Sequence, residues 1–139
     1  MITRRNFFLI GILFLFQAAV AWSGVIRDGS FSARSDGNNI NLHWISEDET
    51  GVLRFELERK AGVNGEFMFL SQIPLQGNNS SYTYVDDSAF LRGMESVYQY
   101  QIKIVYTNGS SLYYGPVSVT HYVSNVTKRT WGSIKAMFR

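Results

Sequence analysis

The 139 residues contain no cysteine. That excludes a disulfide framework and any thiolate-held metal site. Only two histidines occur, His43 and His121. They share no local metal-ligand spacing, and the expected reading is two surface histidines. There is no phosphate loop, no dinucleotide fingerprint and no Gly-x-Ser-x-Gly nucleophile elbow. Helical period is scarce before residue 120. These absences leave no recognisable catalytic or cofactor motif, so no enzyme activity, catalytic residue, cofactor or metal is expected. At this length one domain with an unstapled core is possible.

What is present begins with an address. Met1–Asn6 holds Arg4 and Arg5, Phe7–Phe16 is an almost unbroken apolar run, and Ala19-Val20-Ala21 follows. This is the basic, apolar and small-residue order of a secretory signal peptide, expected over residues 1–21. Phe7–Ala21 is fifteen residues, short of the ~20 that a bilayer span needs. Cleavage is therefore expected over an uncleaved anchor. Arg4-Arg5 also resembles the twin-arginine export motif. The very apolar run and the lack of a cofactor motif fit general secretion better. The expected location is periplasmic, cell-surface or extracellular. An exported domain without disulfides is common in bacteria.

The pI near 9 misleads. Residues 22–121 carry seven basic and eleven acidic groups, net −4, and residues 122–139 carry four basic groups and no acid. A nucleic-acid binder needs a basic face on its folded domain. Here only the tail is basic, so nucleic acid is not an expected partner.

The region after Trp22 reads as strands. Ile40, Leu42 and Trp44 share one face, against Asn41 and His43. Phe55 and Leu57 oppose Arg54, Glu56 and Glu58. Tyr98, Tyr100, Ile102 and Ile104 oppose Gln99, Gln101 and Lys103, and Val117 and Val119 share a face near the end. A period of two with one wet face means antiparallel sheets over a shared core. Asp36-Gly37-Asn38-Asn39, Asn64-Gly65, Gln76-Gly77-Asn78-Asn79 and Asn108-Gly109 mark turns, and both Asn-Gly pairs suit positive φ. About seven short strands predict a single all-β sandwich over residues 22–121.

Five segments in order resemble the fibronectin type III family. Ile40–Trp44 is similar to its second strand and Phe55–Arg59 to its third. Tyr82–Asp86 is similar to the segment before its E–F corner. Tyr98–Ile104 resembles its Tyr-x-Tyr-x-Val-x-Ala strand, and Tyr114–Val119 its last strand. The resemblance spans roughly residues 28–121. It implies an immunoglobulin-like sandwich, with Tyr98 as the corner tyrosine bonded to backbone. Members are mostly spacers, adhesion modules and binding scaffolds, which sets an expectation only, since fold does not fix function. The sequence departs from the family in two loops. Ser46–Thr50 replaces a proline-rich stretch, and Leu91–Glu95 lacks the common proline.

The remaining chemistry is sparse. Glu47-Asp48-Glu49 and Asp86-Asp87 are acidic clusters without calcium-loop spacing, expected to be solvated. Asn78, Asn79, Asn108 and Asn125 begin Asn-x-Ser/Thr sequons, expected to be idle in a bacterium. Tyr82, Tyr84, Tyr106, Tyr113 and Tyr114 lie near strand ends, where exposed rings stack on sugars or anchor interfaces. Beyond the sandwich, residues 122–139 form a basic tail with Trp131, Ile134 and Phe138 at helical spacing, flanked by Lys128, Arg129, Lys135 and Arg139. Three roles compete for it: a cap on the sandwich, a docking or sorting signal, or contact with an anionic membrane surface. The expected function is a non-enzymatic exported module binding an envelope or extracellular protein. The alternative is a carbohydrate-binding module using exposed aromatics.

Overall fold

The computed structural model describes residues 24–89 and 96–122. Seven strands run through these residues: β1 (Ser32–Ser35), β2 (Ile40–Ile45), β3 (Val52–Ala61), β4 (Met68–Ile73), β5 (Ser81–Asp86), β6 (Ser96–Tyr106) and β7 (Ser111–His121). They form a three-stranded sheet, β1-β2-β5, and a four-stranded sheet, β4-β3-β6-β7. Every pairing is antiparallel. This is the sandwich that the alternation predicts, and no helix occurs among the described residues. The signal segment and the tail residues Lys128, Arg129, Trp131, Ile134, Lys135, Phe138 and Arg139 lie outside the described residues.

Alternation sets the core. Ile40, Leu42 and Trp44 on β2, Phe55 and Leu57 on β3, and Tyr100 and Ile102 on β6 are fully buried. Their partners one residue away face solvent, as a pleated strand requires. Trp44 is the hub. Tyr82 stacks on it at 5.0 Å, and Phe31 and Phe55 meet it edge-on at 6.3 and 6.2 Å. Offset-stacked and edge-on geometries are the favourable ones for aromatic quadrupoles.

The turns correct one expectation. Gly109 has φ 85°, as the Asn-Gly reading requires, but Asn64-Gly65 supplies no positive φ. In that hairpin Gly62 takes it, at 71°. Gly65 is needed for another reason: a Cβ there would lie 2.4 Å from the Ala61 carbonyl oxygen. The corner expected around Tyr98 includes residues 90–95, outside the described residues. Within them the Tyr98 ring is buried beside His121 and under the Arg59 guanidinium.

Candidate functional site

The acidic clusters are not simply solvated, and this corrects the sequence expectation. Glu49 is buried and accepts hydrogen bonds from the Tyr82 hydroxyl at 2.5 Å and from Gly77 N–H at 2.9 Å. Its neighbours are engaged as well. Asp48 accepts from Thr50 N–H at 2.9 Å, and Glu47 pairs with Arg27 at 3.4 Å. Burial, then the bond to Glu49, pushes the Tyr82 hydroxyl up to about 12. Asp86 is 1% exposed. It accepts from Arg59 Nη1 at 2.7 Å, the Tyr100 hydroxyl at 2.7 Å and the Ser88 hydroxyl at 2.8 Å. Burial opposes its ionisation, but the bonds from Tyr100, Arg59 and Ser88 prevail and hold its carboxyl below the ordinary value. Burial, then Asp86, raises the Tyr100 hydroxyl. Asp86 ties strands together, and Glu49 ties the β2–β3 loop to β5 and to the turn at Gly77. Among the described residues no three His, Asp or Glu side chains gather as a metal site would need.

His121 also departs from expectation. It is 1% exposed. The final residue of β7 lies opposite Ser96 and faces inward, where its ring packs on Tyr98 at 6.4 Å. Its Nδ1 and Ser35 Oγ are hydrogen-bonded at 2.6 Å, which joins β7 to β1 across the sandwich. A surface depression of about 510 Å³ lies alongside, lined by Ser35, Asp36 and Thr120 among others. A Ser–His pair next to a depression invites a nucleophile reading. That reading needs a third group to orient the imidazole. The Asp36 carboxylate is instead taken by Asn38 N–H, Asn39 N–H and Asn41 Nδ2, at 2.9, 2.7 and 3.0 Å. The bonds to Asn39, Asn38 and Asn41 lower its carboxyl to about 2. Ser35 Oγ also accepts from Gly37 N–H at 3.2 Å. The arrangement pins a turn and a sheet edge together. His43 lies on the wet side of β2, hydrogen-bonded to Ser81 Oγ at 3.0 Å.

The aromatics divide in the same way. Tyr82 is buried, and Tyr84, Tyr106 and Tyr114 pack partly against the core. Phe69 and Tyr113 are exposed on the four-stranded sheet, but β3 and β6 run between their strands. At ~4.8 Å per strand their separation is on the order of 14 Å. The intervening face is polar: Glu56 meets Arg54 at 2.8 Å and Lys103 at 3.8 Å, and Gln101 donates to Glu58 at 2.6 Å.

The most unusual surface is the β4 edge. Met68 and Phe69 are 72% and 63% exposed. The strand reads Met-Phe-Leu-Ser-Gln-Ile, without charge or proline. Edge strands normally carry such features, because unpaired N–H and C=O groups invite another strand. The opposite edge, β7, has them: Pro116 removes a donor, and the register shifts between Tyr100 and Ile102. At the β3–β4 hairpin opens a cavity of about 220 Å³, lined by Arg59, Ala61 and Glu66 and by Met68, Phe69 and Leu70 of β4. This site escaped the sequence reading. The Leu70 bulge breaks the period of two, so β4 gives no clean alternation.

No protein-family model matches the chain, and no curated protein matches it. Among the solved structures that resemble it are the following two. One is a Fn3-like protein from Clostridium thermocellum, 21% identical at TM-score 0.47, covering 63% of this chain and 83% of that one. The other is the pectate lyase Pel3 from Pectobacterium carotovorum, 23% identical at TM-score 0.46, covering 65% of this chain. This chain spans 26% of that enzyme's length. Both scores lie below 0.5, and the sandwich assignment rests on this chain's own strand order and register.

Proposed function

We propose that this chain is an exported, non-enzymatic binding module that takes an extended segment of an envelope or extracellular protein onto its β4 edge. One observation carries the reading: an uncharged edge strand whose Met68 and Phe69 stand in solvent. Adding a strand to such an edge gains main-chain hydrogen bonds and covers apolar surface. The buried polar groups support a scaffold role, since Glu49, Asp86 and His121 are each held by structural partners. Residues 1–21 direct export and are removed, so that the working chain starts at Trp22. The tail, through Lys128, Arg129, Trp131, Ile134, Lys135, Phe138 and Arg139, supplies a second contact. Stacking on carbohydrate would need coplanar exposed rings, and Phe69 and Tyr113 have two strands between them.

The test is recovery of partners from envelope extracts by the wild-type chain and by Phe69→Lys. A lysine on the edge blocks strand addition. Proteins held by the wild type should be lost from the variant. Equal recovery by both refutes the edge reading.

A further inference from the structure

Two Asn-Gly pairs stand in exposed turns, and the fold holds them differently. Asn108-Gly109 lies between β6 and β7. There Gly109 N–H donates to the Tyr106 carbonyl at 3.1 Å, and Tyr106 N–H donates to the Ser110 carbonyl at 2.9 Å, so the turn is closed twice. The Asn108 side chain is held as well. Its Oδ1 accepts from Ser110 N–H at 2.9 Å and from Ser110 Oγ at 2.6 Å. Asn64-Gly65 lies between β3 and β4, with both residues exposed. Among the described residues, neither the Asn64 side chain nor Gly65 N–H makes a hydrogen bond.

The difference bears on a reaction open to both pairs. The backbone nitrogen that follows an asparagine, once deprotonated, attacks the side-chain carbon Cγ. An N–C bond forms, the Cγ–Nδ2 bond breaks, and ammonia leaves with a proton from water. The succinimide ring that results is opened by water at either carbonyl, to aspartate or to isoaspartate. Nothing is oxidised or reduced. A following glycine favours the attack, because it has no Cβ and its backbone turns freely. At Asn108 the bonds to Oδ1 polarise the carbonyl, which helps the attack. The nucleophile, however, is Gly109 N, whose proton is committed to Tyr106 and whose peptide plane is fixed by the closed turn. Those bonds must open first, and each one opened adds to the barrier. At Asn64 nothing has to be broken.

We propose that Asn64 is a self-modification site, converting through a succinimide to aspartate and isoaspartate, and that the fold protects Asn108 from the same reaction. The product carries a new carboxylate in the turn that leads into β4, two residues before Glu66. Isoaspartate also lengthens the main chain there, where Gly65 already approaches Ala61 so closely that a Cβ would lie 2.4 Å from its carbonyl oxygen.

The experiment holds the exported chain at mildly alkaline pH, native in one arm and unfolded in urea in the other. Trypsin cleavage at Lys60, Arg92, Lys103 and Lys128 leaves the two asparagines on separate peptides. Mass spectrometry with fragmentation reads conversion at each. In the native arm Asn64 should convert at least about ten-fold faster than Asn108, a ratio worth ~1.4 kcal/mol of barrier. In urea the two rates should converge, and isoaspartate should accompany aspartate at Asn64. Equal native rates, or a faster Asn108, would overturn the protection and show that the polarised carbonyl prevails. A native ratio that persists in urea would overturn the role of the fold. Aspartate alone at Asn64 would overturn the succinimide route.

Discussion

Asp86 is the residue on which most depends. Its carboxylate joins β5 to β3 through Arg59 and to β6 through Tyr100. Removing one partner of a buried ion pair costs about 3–5 kcal/mol, because the other charge is left behind. Arg59 is partly exposed, so Asp86→Ala should lose about 3 kcal/mol in urea unfolding. The pH dependence has a definite sign. A carboxyl held below its ordinary value in the fold adds stability above the unfolded value, ~3.9. That contribution fades as pH falls through the folded value. Wild-type melting temperature should therefore drop below about pH 4, and the Asp86→Asn variant should show a flatter drop. Parallel curves would show that Asp86 contributes nothing to acid sensitivity. Tyr82→Phe tests the second tie. It strips the hydroxyl from buried Glu49 and from Gln76 N–H, a loss of about 1–3 kcal/mol by the same unfolding measurement. None of these ties was legible in the sequence. Glu49, Asp86 and His121 are polar letters in polar surroundings, and only residues 14 to 86 positions away put them inside.

Among the elements, the strands with clean alternation were legible and the irregular ones were not. β2 and β6 alternate, as does β3 from Phe55 on, past a register shift at Leu53, and there the inward residues are those that the period of two selects. β4 and β7 each contain a register shift, which hides the pattern. The shift in β7 centres on Gly115, with φ 108°. An added Cβ there would lie 3.2 Å from both the Tyr100 carbonyl oxygen and Phe31 Cε1. Gly115→Ala should cost roughly 1–3 kcal/mol from the backbone conformation, read by thermal or urea unfolding. An unchanged midpoint would mean that the strand relaxes around the methyl group. Phe69→Lys on β4 should behave oppositely. The side chain is 63% exposed, so stability should stay within about 0.5 kcal/mol while partner recovery falls. That contrast separates a strand that holds the fold from one proposed to take another chain.

At the scale of the whole molecule, the charge division decides how the two proposed contacts respond to solvent. Residues 22–121 carry net −4, and the tail beyond them net +4. Exposed charges interact over a screening length of ~10 Å at 0.1 M salt and ~3 Å at 1 M. A contact through Lys128, Arg129, Lys135 and Arg139 must therefore weaken as salt rises. The β4 edge has no charge along its strand, and main-chain bonds with apolar cover depend little on screening. Two baits distinguish them: the exported chain, and the same chain truncated after Tyr122. At 0.05 M salt the full chain should recover more partner than the truncated one, and at 0.5 M the difference should vanish. The share recovered by the truncated chain should hold steady across that range and disappear with Phe69→Lys. If both baits recover the same partners at low salt, the tail makes no contact of its own, and binding belongs to the sandwich alone.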